Sequence, residues 1–132
     1  MINYLVLHRK LLIVDDELDI ITSLKKILER HEFEVDGFTD SVEALSKFKP
    51  NMYDLTILDI RMPKMNGFEL YREIRKIDDK CRICFISAFE LYYDELRKAF
   101  PELDPKSFVK KPIRVADFIE RINVELTKTG SM

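Results

Sequence analysis

Acids, a hydroxyl and an ammonium recur along this sequence at places from which they could act together on a phosphoryl group. The acids are Asp15, Asp16 and Glu17 in a row, with Asp59 further on; the hydroxyl is that of Ser87, and the ammonium comes from Lys110-Lys111 ahead of Pro112. Crowded carboxylates repel one another, and one tends to stay protonated unless a cation balances them. Mg2+ suits such a site, because it takes oxygen ligands from one or two carboxylates together with water and phosphate. An ionised aspartate can attack phosphorus and form an acyl phosphate. A metal ion would screen nucleophile from phosphoryl group, while a lysine and a hydroxyl stabilise the equatorial oxygens. Any one of these aspartates taken alone reads as a solvated loop acid or helix cap. The set, converging from several segments, does not.

Convergence depends on the elements between them. Five apolar segments read as strands, Lys10 to Asp15, Phe33 to Phe38, Asp54 to Asp59, Arg82 to Ser87 and Ser107 to Lys110. Four carry apolar runs, as strands covered on both faces do. Phe33-Glu34-Val35-Asp36 alternates apolar with acidic residues, which predicts an edge strand. Helices are expected between them. Ile20, Ile21, Leu24, Ile27 and Leu28 recur at helical spacing. Asp40-Ser41-Val42-Glu43 opens a helix that must stop before Pro50. Asn66-Gly67-Phe68-Glu69 opens another, with Leu70, Ile74 and Ile77 on one side. A further helix is expected from Leu91 to Phe100, before Pro101, and a last one carrying Val115, Phe118, Ile119, Ile122 and Leu126. Alternating strands and helices predict an α/β fold, a parallel sheet with helices on both faces. Ligands of such sheets lie at the carboxyl ends of the strands. Those ends are where the acids, Ser87 and the lysines fall; the second strand offers only Asp36 and Thr39.

The chain's 132 residues make one ordinary domain, and 46% hydrophobic with 35% charged residues is a globular balance. A net charge of −2 gives no electrostatic reason to expect nucleic acid or an anionic membrane as a direct partner. Apolar runs are too short to span a bilayer, and no basic residue precedes Tyr4-Leu5-Val6-Leu7, so the expectation is a cytoplasmic protein. Cys81-Arg82-Ile83-Cys84 has the C-x-x-C spacing of redox sites. On a strand, however, residues three apart lie about 10 Å apart and point to opposite faces, beyond the reach of a disulfide. No second Cys/His pair completes a zinc site, so both cysteines are expected to pack in the core.

Leu12-Ile13-Val14-Asp15-Asp16-Glu17, Leu58-Asp59-Ile60-Arg61-Met62-Pro63-Lys64-Met65-Asn66-Gly67, Ile86-Ser87-Ala88 and Phe108-Val109-Lys110-Lys111-Pro112 resemble the signature blocks of two-component response-regulator receiver domains (CheY-like). The resemblance runs from about Lys10 to Leu126. It implies a flavodoxin-like, doubly wound sheet of five parallel strands in order 2-1-3-4-5 with five helices in a single domain. Residues 1–9 would be a leader, 10–127 the domain and 128–132 a tail. By resemblance, Asp59 is the phosphorylated aspartate. Asp15 and Asp16 hold Mg2+, Asp16 more directly, together with Asp59 and the backbone carbonyl of Arg61. The Ser87 hydroxyl bonds the phosphoryl group, and Lys111 is the active-site lysine, with Lys110 pointing away. Pro112 would follow a cis peptide bond. Phe108 is the switch position whose rotamer tracks phosphorylation, and it also reads as a core phenylalanine.

The function so implied is that of a signalling phosphoacceptor rather than a conventional enzyme, assisting its own phosphorylation and dephosphorylation. A histidine kinase or phosphotransfer protein would supply the phosphoryl group, and the switched face would bind a downstream protein. Tyr92, Tyr93 and Phe100 near that face could form a docking patch or could be ordinary packing. A phosphohydrolase of the haloacid-dehalogenase type would need a second aspartate two residues after the nucleophile, where Arg61 stands. With only Gly37, Gly67 and Gly130, neither G-x-G-x-x-G nor a P-loop can be written. The residues after Leu126 cannot form a helix-turn-helix, so a DNA-binding regulator is expected only if the chain is a fragment of a longer one.

The sequence departs from the family pattern in the Met1 to Arg9 leader and in Phe100-Pro101-Glu102-Leu103-Asp104-Pro105, which replaces a short turn of small residues. At Phe89, where the family varies, a bulky ring stands two residues beyond Ser87 and could hinder water from reaching an acyl phosphate. Phe89→Ala is therefore expected to lose its phosphoryl group faster than the native protein; equal dephosphorylation rates would remove that expectation.

Overall fold

A computed structural model describes residues 9–88, 98, 101, 102 and 108–127. Its elements are β1 (Lys10–Val14), α1 (Leu18–Arg30), β2 (Glu34–Phe38), α2 (Ser41–Lys47), β3 (Leu55–Asp59), α3 (Gly67–Ile77), β4 (Ile83–Ser87), β5 (Phe108–Lys110) and α4 (Val115–Thr127). The strands form one parallel sheet in the order β2-β1-β3-β4-β5. Four helices lie among the described residues. The helix expected from Leu91 to Phe100 lies outside them except for Lys98, which is helical; Tyr92, Tyr93 and most of the Phe100 to Pro105 segment lie outside them too, as do residues 1–8 and 128–132.

Alternation along the strands sorts the core into two layers. Leu12 and Val14 of β1 with Leu58 of β3 join Ala44 of α2 and Leu70, Tyr71 and Ile74 of α3 on one face. Leu11 and Ile13 with Leu55 and Ile57 join Ile21, Leu24 and Leu28 of α1 and Phe118, Ile122 and Leu126 of α4 on the other. Both faces being covered explains why β1, β3 and β4 read as nearly unbroken apolar runs. Each fully buried aliphatic or aromatic side chain contributes about 1.5–3 kcal/mol. The expected edge strand is β2. Asp36 there accepts the Tyr53 hydroxyl at 2.7 Å and lies 3.5 Å from the Lys10 ammonium.

Cys81 and Cys84 are not joined in a disulfide, and the sheet separates them, Cys81 in one layer and Cys84 in the other. Burial pushes the Cys81 thiol up to about 11, so it stays protonated. Two positions in the helical periodicities are solvated instead of buried. Ile77, the last residue of α3, is 37% exposed, and Val115, the first of α4, is 49% exposed. Both sit at helix ends, where the apolar face has run past its layer. Among the described residues no helix is long and apolar enough to cross a membrane.

Caps fix where the helices begin. Asp40 accepts the backbone N–H groups of Val42 at 2.9 Å and Glu43 at 3.3 Å. Asn66 and Glu69 form a reciprocal capping box at the start of α3. There the chain folds back on β3, with the Gly67 N–H donating to the Ile60 carbonyl at 2.8 Å. A Cβ on Gly67 would stand 2.3 Å from the Asp59 carbonyl oxygen and 2.9 Å from Ile60 Cα. Both obstacles are backbone, so only glycine lets α3 start this close to the end of β3. Gly67→Ala is expected to cost about 1–3 kcal/mol through forced displacement, read as a lower urea midpoint at unchanged m-value.

Candidate functional site

The carboxyl ends of β1, β3, β4 and β5 carry the polar residues singled out in the sequence. Asp15 directly follows β1, Asp59 ends β3, Ser87 ends β4, and Lys111 directly follows β5. Backbone hydrogen bonds hold these ends in register. Asp15 N–H donates to the Phe38 carbonyl at 3.1 Å, Ile60 N–H to Ile86 at 3.2 Å and Lys111 N–H to Ser87 at 2.7 Å. The Lys111–Pro112 peptide is cis. With parallel strands about 4.8 Å apart, the ends of these four neighbouring strands lie side by side along one stretch of the rim.

The Lys111 ammonium is the centre of this area. It lies 2.9 Å from Asp15 Oδ2, 3.2 Å from Glu17 Oε1 and 3.6 Å from Asp59 Oδ1. Asp15 is fully buried and Asp59 is 5% exposed. Lys110, the neighbouring lysine, is exposed, so alternation sends the two ammonium groups to different places. Ser87 is buried, while Asp16 and Arg61 are exposed. Phe89 lies outside the described residues.

One ammonium does not balance this many acids. Burial, and then the Asp15 carboxylate, push the Asp59 carboxyl up to about 7; Lys111 opposes them, and Asp16 adds to the rise. Burial also raises Asp15, against the hydrogen bonds it accepts from Lys111 and from the Glu17 N–H at 2.9 Å. Burial works against the Lys111 charge, but the Asp15 carboxylate, followed by Asp59 and Glu17, outweighs it and raises the lysine pKa. The site therefore has a surplus of negative charge. Asp15, Asp16 and Glu17 each place a carboxylate oxygen within 4.8 Å of the others. Hard oxygen donors in a pocket short of positive charge fit a divalent ion such as Mg2+.

Phe108 stacks on Phe85 with centroids 5.2 Å apart and planes at 18°. Phe85 is fully buried and also meets Phe68 at 5.0 Å and Tyr71 at 5.9 Å. Half-buried Phe108 thus touches the core with one face. The Tyr71 hydroxyl donates to Glu102 at 2.9 Å, tying α3 to the chain ahead of β5.

Two features escaped the sequence reading. Glu17 pairs with Lys111 across 94 residues of chain. Gly67 was noted for its pattern, and its reason is the approach to Asp59 described above. Nothing local signals the first. A glycine opening a helix soon after the strand that ends in Asp59 could signal the second.

A family model described as the response regulator receiver domain matches residues 11–123. The chain is similar to the regulatory protein VanRB of Enterococcus faecalis, with 34% identity over 93% of this chain and 54% of that protein. It is 35% identical to the chemotaxis protein CheY of Thermotoga maritima, over 87% of this chain and 95% of that one. The structure of the response regulator TrrA from Thermotoga maritima in complex with Mg2+-BeF superposes with a TM-score of 0.75 at 32% identity, covering 89% of this chain and 98% of that one. The chain spans about half the length of several curated relatives, VanRB among them.

The raised Asp59 pKa has a sign that can be checked. The unfolded carboxyl titrates at its ordinary 3.8 and the folded one at about 7. The destabilisation is therefore absent below pH ~4, grows as pH rises between the two values, and is complete above ~7. In EDTA, Asp59→Asn is expected to be more stable than the native protein at pH 8, by up to a few kcal/mol. The difference should close by pH ~4, followed by urea unfolding across that range.

Proposed function

The chain belongs to the response regulator receiver domain family, and we propose that it accepts a phosphoryl group on Asp59 from a phosphohistidine of a histidine kinase or phosphotransfer protein. One observation carries this reading. A single lysine ammonium reaches into a pocket of buried acids and stands 3.6 Å from Asp59 Oδ1, close to where a phosphoryl oxygen on that carboxylate would lie.

An Asp59 carboxylate oxygen attacks phosphorus as the phosphorus–nitrogen bond of phosphohistidine breaks. The imidazole nitrogen leaves with the bonding pair, and an acyl phosphate remains on Asp59. Lys111 donates to an equatorial oxygen and stabilises the charge that develops there. The Ser87 hydroxyl, at the end of the neighbouring strand, donates to another. Asp15 keeps Lys111 in place through the 2.9 Å ion pair. Asp15, Asp16 and Asp59, with the backbone carbonyl of Arg61, would hold Mg2+, which when bound supplies the positive charge the pocket lacks. The TrrA complex with Mg2+-BeF, similar to this chain over most of its length, supports Mg2+ as the ion.

Residues 10–127 form the receiver unit in this reading. Phosphorylation redirects Lys111 and Ser87, and Phe108, seated on Phe85 by one ring face, moves in response and alters the surface around β5. A protein partner then reads that surface. The chemistry is that of a signalling phosphoacceptor which promotes its own transfer and hydrolysis.

With acetyl phosphate and Mg2+, mass spectrometry is expected to find a base-labile phosphoryl adduct on Asp59. The adduct should be absent with EDTA and in Asp59→Asn. A native protein that takes no label, or an Asp59→Asn variant that takes as much, removes the reading.

A further inference from the structure

Glu17 occupies the N-cap of α1 without capping it. Its backbone does the work of that position, its carbonyl accepting the N–H groups of Ile20 and Ile21, while its side chain makes no capping hydrogen bond. Ser, Thr, Asp and Asn suit an N-cap, and glutamate contributes little there. The carboxylate extends instead across the rim to Lys111, at 3.2 Å.

An ammonium has three N–H donors. Glu17 accepts one of them at 3.2 Å, Asp15 Oδ2 stands beside the ammonium as an ion pair at 2.9 Å, and Asp59 at 3.6 Å lies beyond a normal hydrogen bond. The two close contacts differ in how readily they give way. Asp15 is fully buried and its contact is the shorter, whereas the Glu17 side chain is 63% exposed and can exchange Lys111 for water. An exposed ion pair is held weakly. A phosphoryl oxygen that draws the ammonium inward toward Asp59 would therefore stretch the Glu17 contact before the Asp15 one.

We propose that Glu17 is a positioning residue that holds the Lys111 ammonium toward the outer rim of the pocket until a phosphoryl oxygen replaces it, and so competes with phosphorylation for this donor. The inference rests on the reading of Asp59 as phosphoacceptor and adds to it a brake built from the chain's own carboxylate. Removing the carboxylate releases Lys111 and raises the rate of transfer at low donor concentration. Glu17→Asp separates pairing from simple repulsion of an anionic donor. It keeps the charge but shortens the side chain by one methylene, so it no longer reaches an ammonium that Asp15 holds in place.

The test follows initial rates of adduct formation on Asp59 with sub-saturating acetyl phosphate at saturating Mg2+, with urea unfolding to show that each variant is folded. Glu17→Gln and Glu17→Asp are both expected to raise kcat/KM for the phosphodonor by about two- to fivefold, the range of an exposed ion pair. Native rates in both variants overturn the proposal. A gain in Glu17→Gln alone also overturns it, because it assigns the effect to charge repulsion. A gain seen in parallel assays at limiting Mg2+ but absent at saturating Mg2+ overturns it too, because it assigns Glu17 to the metal. If the native protein forms no adduct on Asp59, the phosphoacceptor reading fails first, and that outcome is distinct from a labelled protein whose Glu17 variants behave as native.

Discussion

A single ammonium set among buried carboxylates is the interaction on which this site depends. Asp15 and Asp59 are removed from water at the end of a sheet, and an isolated ionised carboxylate there is costly. Lys111 offsets part of that cost, yet both carboxyls remain harder to ionise than in water. The fold leaves the pocket short of positive charge. In the proposed reading a divalent ion would supply what is missing, and phosphoryl oxygens would give Lys111 a new acceptor. Chemistry and electrostatics thus follow from one imbalance.

The fold maintains that imbalance by restricting its own freedom near the pocket. Strands β1, β3 and β4 are packed from both sides, so the residues at their ends have little room to move away from each other. Gly67 brings α3 against the carbonyl of Asp59, and the Asn66–Glu69 capping box fixes where that helix begins. On the opposite rim, the Arg9 and Arg82 guanidinium groups both donate to the Leu126 carbonyl at 3.0 Å. They satisfy an end of α4 that would otherwise lack donors. Positive charge at the far rim anchors a helix, and at the near rim it engages acids.

Most of this was legible in the sequence because the signals were of kinds that survive without coordinates. Buried parallel strands announce themselves as apolar runs, so Leu11 to Val14 and Ile83 to Ile86 could be placed within a residue of their ends. Asp59 and Ser87 stand out because each ends such a run, whereas Lys111 is told from Lys110 by the family resemblance alone. The acidic alternation of Glu34-Val35-Asp36 gave away the edge strand. The exposure of Ile77 and Val115 was not legible, since periodicity says which face a residue is on and not where the opposing layer stops. The Glu17–Lys111 pair was hidden for a different reason. A contact between chain segments this distant depends on side-chain reach across the finished sheet, and no local pattern encodes it.

The placement of the two cysteines gives the molecule a pair of internal reporters. Cys81 belongs to the layer of α2 and α3 and Cys84 to that of α1 and α4, with the sheet between them. Neither sulfur can meet a reagent until its own layer opens. Alkylation kinetics at each thiol would therefore time the breathing of one half of the core independently of the other, without any label being added to the chain.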